Sequence, residues 1–135
     1  MSTIFTKIIN KEIPAQFVYE DDICVAVMDK FPAVEGQTLV ILKDEIDYLF
    51  DVPEEKYNHL FNVAKKIAKA SDIAFNTIRT CLLVEGFEVP HVHIKLYPKT
   101  TQEGVIGESS EGPSAVEDEY LQKQADKIKA ALNEI

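Results

Sequence analysis

Apolar positions follow two different periods along the chain. In residues 16–32 (QFVYEDDICVAVMDKFP) they form two short runs around an acidic pair, which predicts two strands and a turn. Val18 and Glu20 bracket the first strand, Asp21 and Asp22 make the bend, and ICVAVM is continuously apolar. Lys30-Phe31-Pro32 is expected to stop the second strand, because Pro32 cannot donate to a ladder. QTLVILK, after Gly36, predicts a third strand. The period then lengthens: Tyr57, Leu60, Phe61, Ala64, Ile67 and Ala68 recur at helical spacing. The expected helix start is Asp51-Val52-Pro53-Glu54, with Asp51 as cap, Pro53 in the first turn and Glu54 completing a capping box. Lys65, Lys66 and Lys69 fall elsewhere on the wheel, as a solvated face. Residues 78–85 predict a fourth strand broken by Gly86, and HVHIKLY from His91 a fifth strand ended by Pro98. Residues 100–114 are polar and rich in Gly and Ser, and predict a loop or lid. A second capping box, Ser114 with Glu117, opens a terminal helix over 115–135, with Val116, Leu121, Ala125, Ile128, Leu132 and Ile135 as its apolar stripe. Strands in series with two helical segments predict an α+β fold with an antiparallel sheet.

Composition narrows the function. A length of 135 residues fits one domain, 1–135, with a core that needs no staples. Apolar residues at 46% and charged residues at 27% exclude disorder for most of the length. Fourteen basic against 23 acidic residues give −9, which argues against a nucleic acid polymer as partner but not against a small nucleotide. Cys24 and Cys81 sit inside apolar runs and read as small buried hydrophobes. No CxxC pair is present, no stretch approaches a membrane span, and no export signal opens the chain. The expected compartment is the cytoplasm, where single thiols stay reduced.

The chemistry concentrates in the fifth strand. Alternate side chains of a strand share a face, so His91, His93 and Lys95 project to one side and Val92, Ile94 and Leu96 to the other, into the core. Three readings compete. The row is an exposed polar face of a half-buried strand; or it is a metal pair, disfavoured because Lys95 stands where a third ligand would fall and repels a cation; or it is a phosphoryl-transfer site in which one imidazole attacks while its neighbours hold the phosphate.

HVHIKLY, preceded by GFEVP, resembles the signature strand of the histidine triad (HIT) superfamily, His-φ-His-φ-His-φ-φ. IFTKIINKEIP, VYEDDICVAVMDKFP, GQTLVILK and the helix that follows are similar in order and spacing to the same family, over roughly residues 3–99. The GFEVPHVHI form, with DYLFDVP after the third strand, looks like a bacterial branch related to the Hint group that commonly lacks zinc ligands, in keeping with the missing CxxC. The resemblance implies a five-stranded antiparallel sheet with a long helix after the third strand and a C-terminal helix. It implies a homodimer, a purine nucleotide as ligand, and hydrolysis or transfer of a nucleoside monophosphate without cofactor or metal. His93 matches the nucleophile, His91 the first residue of the triad, and Asp29 the acid that holds the ribose hydroxyls. Ile4, Phe5, Ile8 and Val27 match positions lining the base pocket; ordinary core packing is the competing reading for these four.

The sequence also departs from the pattern. Lys95 stands in place of the third histidine, and Gln37 in place of the histidine that usually follows the glycine before the third strand. Val84 replaces the Asn before the Glu-Gly turn, and Phe87 and Glu88 replace a Gln-Ser pair, so Glu88 faces the strand's end. Lysine has three donors and a fixed charge, so Lys95 can still hold a phosphate oxygen and favour a neutral His93. It is poorly matched as a proton donor, and losing a placed acid–base group costs about 10²–10⁴ in rate. The expectation is therefore a HIT-type hydrolase or transferase acting at the α-phosphorus of nucleoside phosphoramidates or (di)nucleoside phosphates through a nucleotidyl-histidine. The alternative is a nucleotide-binding or interaction module of the same fold with impaired catalysis.

Overall fold

The structure, a computed structural model, describes residues 2–103, 112 and 114–135. Its elements run α1 (Ile4–Ile9), β1 (Phe17–Glu20), β2 (Cys24–Met28), β3 (Thr38–Leu42), α2 (Glu54–Phe75), β4 (Arg79–Leu83), β5 (His93–Lys99) and α3 (Asp118–Leu132), with a single 3₁₀ turn at Leu49–Asp51. The five strands form one sheet in the order β1-β2-β3-β5-β4, and every neighbouring pair is antiparallel. The α+β expectation and the five-stranded sheet hold.

The apolar continuity of β2 and β3 follows from cover on both faces, which removes the polar half of a strand's alternation. Cys24, Ala26, Met28, Val40 and Leu42 join Ile94 and Leu96 in the main core, under Leu60, Val63, Ala64 and Ile67 of α2 and Leu121, Ala125 and Ile128 of α3. Val25, Val27, Leu39 and Ile41 point the other way and pack with Phe5 of α1. The sheet thus has a thick helical layer on one side and a single short helix on the other. Gly36 makes the turn into β3 at φ +85, a conformation that side chains rarely adopt. A Cβ there would lie 2.5 Å from the Phe75 ring.

Several local expectations need correction. Asp51 does not cap α2; it closes the 3₁₀ turn, and the helix starts behind Pro53 with no side-chain cap bond. Ser114 does not cap α3 either, whose N-cap is Glu117, again without a side-chain bond. Ile135 is exposed, and Gln124 and Ala131 take buried places on that helix instead. Pro98 does not end β5. It stands inside the strand opposite Thr80 of β4, beyond Leu96, where pairing with β3 has already stopped, so no partner misses its N–H. Most of the 100–114 loop lies outside the described residues.

Candidate functional site

The face of the sheet opposite α2 and α3 carries a cavity of about 730 Å³. That volume is within the range of small-molecule sites. Its lining joins α1 (Ile4, Phe5, Ile8), the ends of β2 and β3 (Val27, Asp29, Leu39), the segment after β4 (Glu85 to Val89), and His93 and Lys95 of β5. Eight of the ten residues singled out in the sequence line this cavity, in groups set by the fold. Ile4, Phe5, Ile8 and Val27 make an apolar wall, His93 and Lys95 a basic floor, and Asp29 and Glu88 contribute carboxylates.

His93 is buried yet reaches the cavity. Its Nδ1 lies 2.7 Å from the His91 carbonyl oxygen, which can only accept, so Nδ1 carries the proton. Nε2 is then the lone-pair nitrogen, and among the described residues it has no hydrogen-bond partner. The Phe5 ring meets the imidazole edge-to-face at 4.6 Å between centroids. Burial first, then the charge of Lys95, hold the His93 imidazole below its ordinary range, against the bond to the His91 carbonyl and the charge of Asp29. A neutral imidazole with a free Nε2 lone pair is a nucleophile at neutral pH.

His91 is fully buried and does not line the cavity. Its Nε2 lies 2.6 Å from the Leu42 carbonyl and so donates; its Nδ1, 2.7 Å from Thr3 Oγ1, accepts. Both nitrogens are committed, so His91 has no spare lone pair for an ion shared with His93. The row of His91, His93 and Lys95 is not the exposed polar face that sequence pattern allows: all three are buried, beside α1 and the cavity.

Asp29 is 3% exposed at the end of β2. Its Oδ1 accepts from Phe31 N at 2.9 Å and its Oδ2 from Gln37 Nε2 at 2.7 Å. A carboxylate has about four acceptor positions, so it retains capacity toward the cavity. Gln37 is fully buried and stands behind Asp29, off the cavity wall; its Oε1 takes the Ala33 amide at 2.6 Å. It braces both the acid and the turn that presents it. Glu88 is exposed and lines the rim, and Phe87 beside it is 91% exposed. Val84 packs against the main core.

Sequence reasoning missed Gln16, Leu39, Lys30 and Asp118. Lys30 Nζ bonds Asp118 Oδ1 at 2.7 Å and the Val116 carbonyl at 2.6 Å, tying the start of α3 to the cavity's edge. Leu39, directly opposite Val27 in the β2–β3 register, was visible as an apolar residue of the third strand; the Lys30–Asp118 pair, 88 positions apart, left no local signal.

One cluster among the described residues has metal-ligand spacing: Asp21, Cys24 and His59, with ligand atoms within 4.8 Å of one another. Its bonds are already made. Asp21 Oδ1 accepts from the Ile23 and Cys24 amides at 2.8 and 2.9 Å, and Oδ2 meets Tyr19 and His59 at 2.7 and 2.6 Å. Burial, then Asp21, push the Cys24 thiol up to about 12, away from the thiolate a metal needs.

The HIT domain model matches residues 10–102. The chain belongs to the HIT family. It is 36% identical over 97 residues to an adenosine 5'-monophosphoramidase of Saccharomyces cerevisiae, covering 71% of this chain and 61% of that protein. It is 36% identical over 100 residues to a purine nucleoside phosphoramidase of Escherichia coli K12, covering 70% and 84%. Among solved structures, a HIT-like protein of Bartonella henselae described as involved in cell-cycle regulation superposes with a TM-score of 0.84 at 33% identity, with 96% of each chain covered. A hypothetical histidine triad nucleotide-binding protein of Sulfolobus tokodaii gives 0.84 at 27% identity, over 97% of this chain and 92% of that one.

Proposed function

We propose that the chain is a nucleotide-binding HIT hydrolase that cleaves purine nucleoside phosphoramidates. One observation carries the reading: a buried, neutral imidazole offers Nε2 to a cavity that also holds an apolar wall and a braced carboxylate. The base packs against Ile4, Phe5, Ile8 and Val27, and the ribose hydroxyls donate to Asp29. Lys95, in place of a third histidine, holds a non-bridging phosphate oxygen. The Nε2 lone pair forms a bond to the α-phosphorus as the P–N bond breaks, and the departing amine takes that electron pair and a proton from solvent. Water then attacks phosphorus and returns a proton to solvent, Nε2 leaves with its electrons, and the nucleoside monophosphate is released. Splitting one displacement into two is the advantage of covalent catalysis. The names of the yeast and Escherichia coli relatives support this substrate class.

The test is turnover of adenosine 5'-phosphoramidate. Activity abolished by His93→Ala supports the enzyme. A second reading rests on Lys95, a poor proton donor to a leaving group: a binding module with little chemistry. Tight AMP binding with no turnover, unimproved by Lys95→His, would favour it.

We also propose a homodimer joined through the β4 edge. β4 pairs only with β5, and Leu82 on it and Ile78 beside it are about half exposed, an open apolar edge of the kind that pairs with another chain. The opposite edge, β1, is flanked by the charged Glu20, Lys11 and Lys43. Light scattering on Leu82→Lys should give a monomer where the parent chain gives a dimer.

A further inference from the structure

Thr3 lies outside the cavity lining and outside every motif assigned above, yet its hydroxyl makes three bonds, besides a longer contact of 3.4 Å to Thr6 Oγ1. It accepts from the Phe5 and Thr6 amides at 3.2 and 3.3 Å, capping α1, and reaches His91 Nδ1 at 2.7 Å. Since His91 Nε2–H must donate to the Leu42 carbonyl, Nδ1 carries the lone pair and the Thr3 O–H donates to it. Two bonds accepted and one donated exhaust a hydroxyl. The next link is covalent: the carbonyl of the same His91 holds Nδ1–H of His93 at 2.7 Å. A chain therefore runs from the cap of the helix that carries the apolar wall, through a fully buried imidazole, to the nitrogen opposite the attacking one.

We propose that Thr3 is a positioning residue for His93: its hydroxyl holds the ring orientation of His91, whose tautomer the Leu42 carbonyl sets, and through the His91 carbonyl it aims Nε2 of His93 at the cavity. Without the hydroxyl, His91 Nδ1 is a buried acceptor with no donor. The ring is then held by its bond to the Leu42 carbonyl alone and can tilt about it, which loosens the backbone that holds His93. The inference rests on the reading of His93 as nucleophile, and its consequence is a change in alignment rather than in nucleotide affinity.

The experiment compares Thr3→Val, Thr3→Ser and Thr6→Val with the parent chain, using adenosine 5'-phosphoramidate and ¹⁵N spectra of the histidine rings. Thr6→Val is the structural control: it removes the Thr3 N–H to Thr6 Oγ1 bond of the same cap and the Thr6–Glu45 bond, but leaves the Thr3–His91 bond. Thr3→Val should lower kcat by roughly tenfold to a hundredfold, the scale of a small misalignment. KM should change little, and the Nδ1–H resonance of His93 should shift as its bond to the His91 carbonyl loosens. Thr3→Ser should restore both. Equal losses in Thr6→Val and Thr3→Val, or an unchanged His93 spectrum in Thr3→Val, would overturn the proposal. If the parent chain does not turn over the phosphoramidate, the functional reading fails, and the ring spectra alone still decide whether Thr3 holds the His93 ring in place.

Discussion

At the scale of single residues, the site depends on polar groups kept dry and paired. His93 is held below its ordinary 6.5, by burial before all else. In the proposed reaction its neutral form attacks, so kcat/KM should stay flat on acidification to below pH 6.5 and fall only when the imidazole takes a proton. Removing the nearby cation in Lys95→Met should move that acid limb upward, as a pH–rate profile would reveal. Gln37 gives a second expectation. Gln37→Leu strips the buried Asp29 Oδ2 and the more exposed Ala33 amide of their partners at once. Urea titration should register a loss of about 1–3 kcal/mol, and calorimetry should find AMP binding weakened by about tenfold, as a hydrogen bond to a charged group implies.

At the scale of elements, the strands and α2 were legible because their cause is local. ICVAVM and the LVIL of QTLVILK are apolar throughout, and the stripe from Tyr57 to Ala68 has one period, so pattern alone located them. Helix ends were less legible. Asp51 carries the capping signature, but the chain forms a 3₁₀ turn first and α2 begins past it. α1 was missed, though Thr3 and Thr6 form its capping box, because six residues scarcely register as a period. The candidate site was half readable. His93 and Asp29 stand out in the sequence by residue type and place, whereas the burial of His91 behind Thr3 arises from residues 88 positions apart, which no window spans. The turn into β3 gives a test at this scale. Gly36→Ala places a methyl against the Phe75 ring in a left-handed backbone, and thermal melting should show a loss of at least about 1 kcal/mol.

At the scale of the whole molecule, the acidic balance of −9 sits on a fold whose most strongly stabilised carboxylate is far from the cavity lining. Burial raises the Asp21 carboxyl, but hydrogen bonds from Tyr19, the Cys24 amide, His59 and the Ile23 amide outweigh it and hold the group well below its ordinary 3.8. A carboxyl depressed by folding adds stability above its unfolded value and loses it as pH falls through the folded one. Asp21→Asn should therefore lower the melting temperature at pH 7 and narrow the gap to the parent chain as pH drops below about 4. His93 acts in the same direction: its folded state resists protonation, so acid below 6.5 disfavours the fold there too. No helix among the described residues is long and apolar enough to cross a membrane.

The two halves of the cavity rest on supports of unequal stiffness. β5 is an interior strand, flanked by β3 and β4, while α1 is a six-residue helix at the start of the chain. Isolated helices of that length do not hold in water, so α1 persists through its contacts alone. Amide deuteration should therefore proceed quickly across Phe5–Ile9 and slowly across Ile94–Leu96. Saturating AMP should retard the first region far more than the second. The reactive imidazole would stay in place while the wall against the base breathes, letting nucleotides enter and leave without disturbing the group that meets phosphorus.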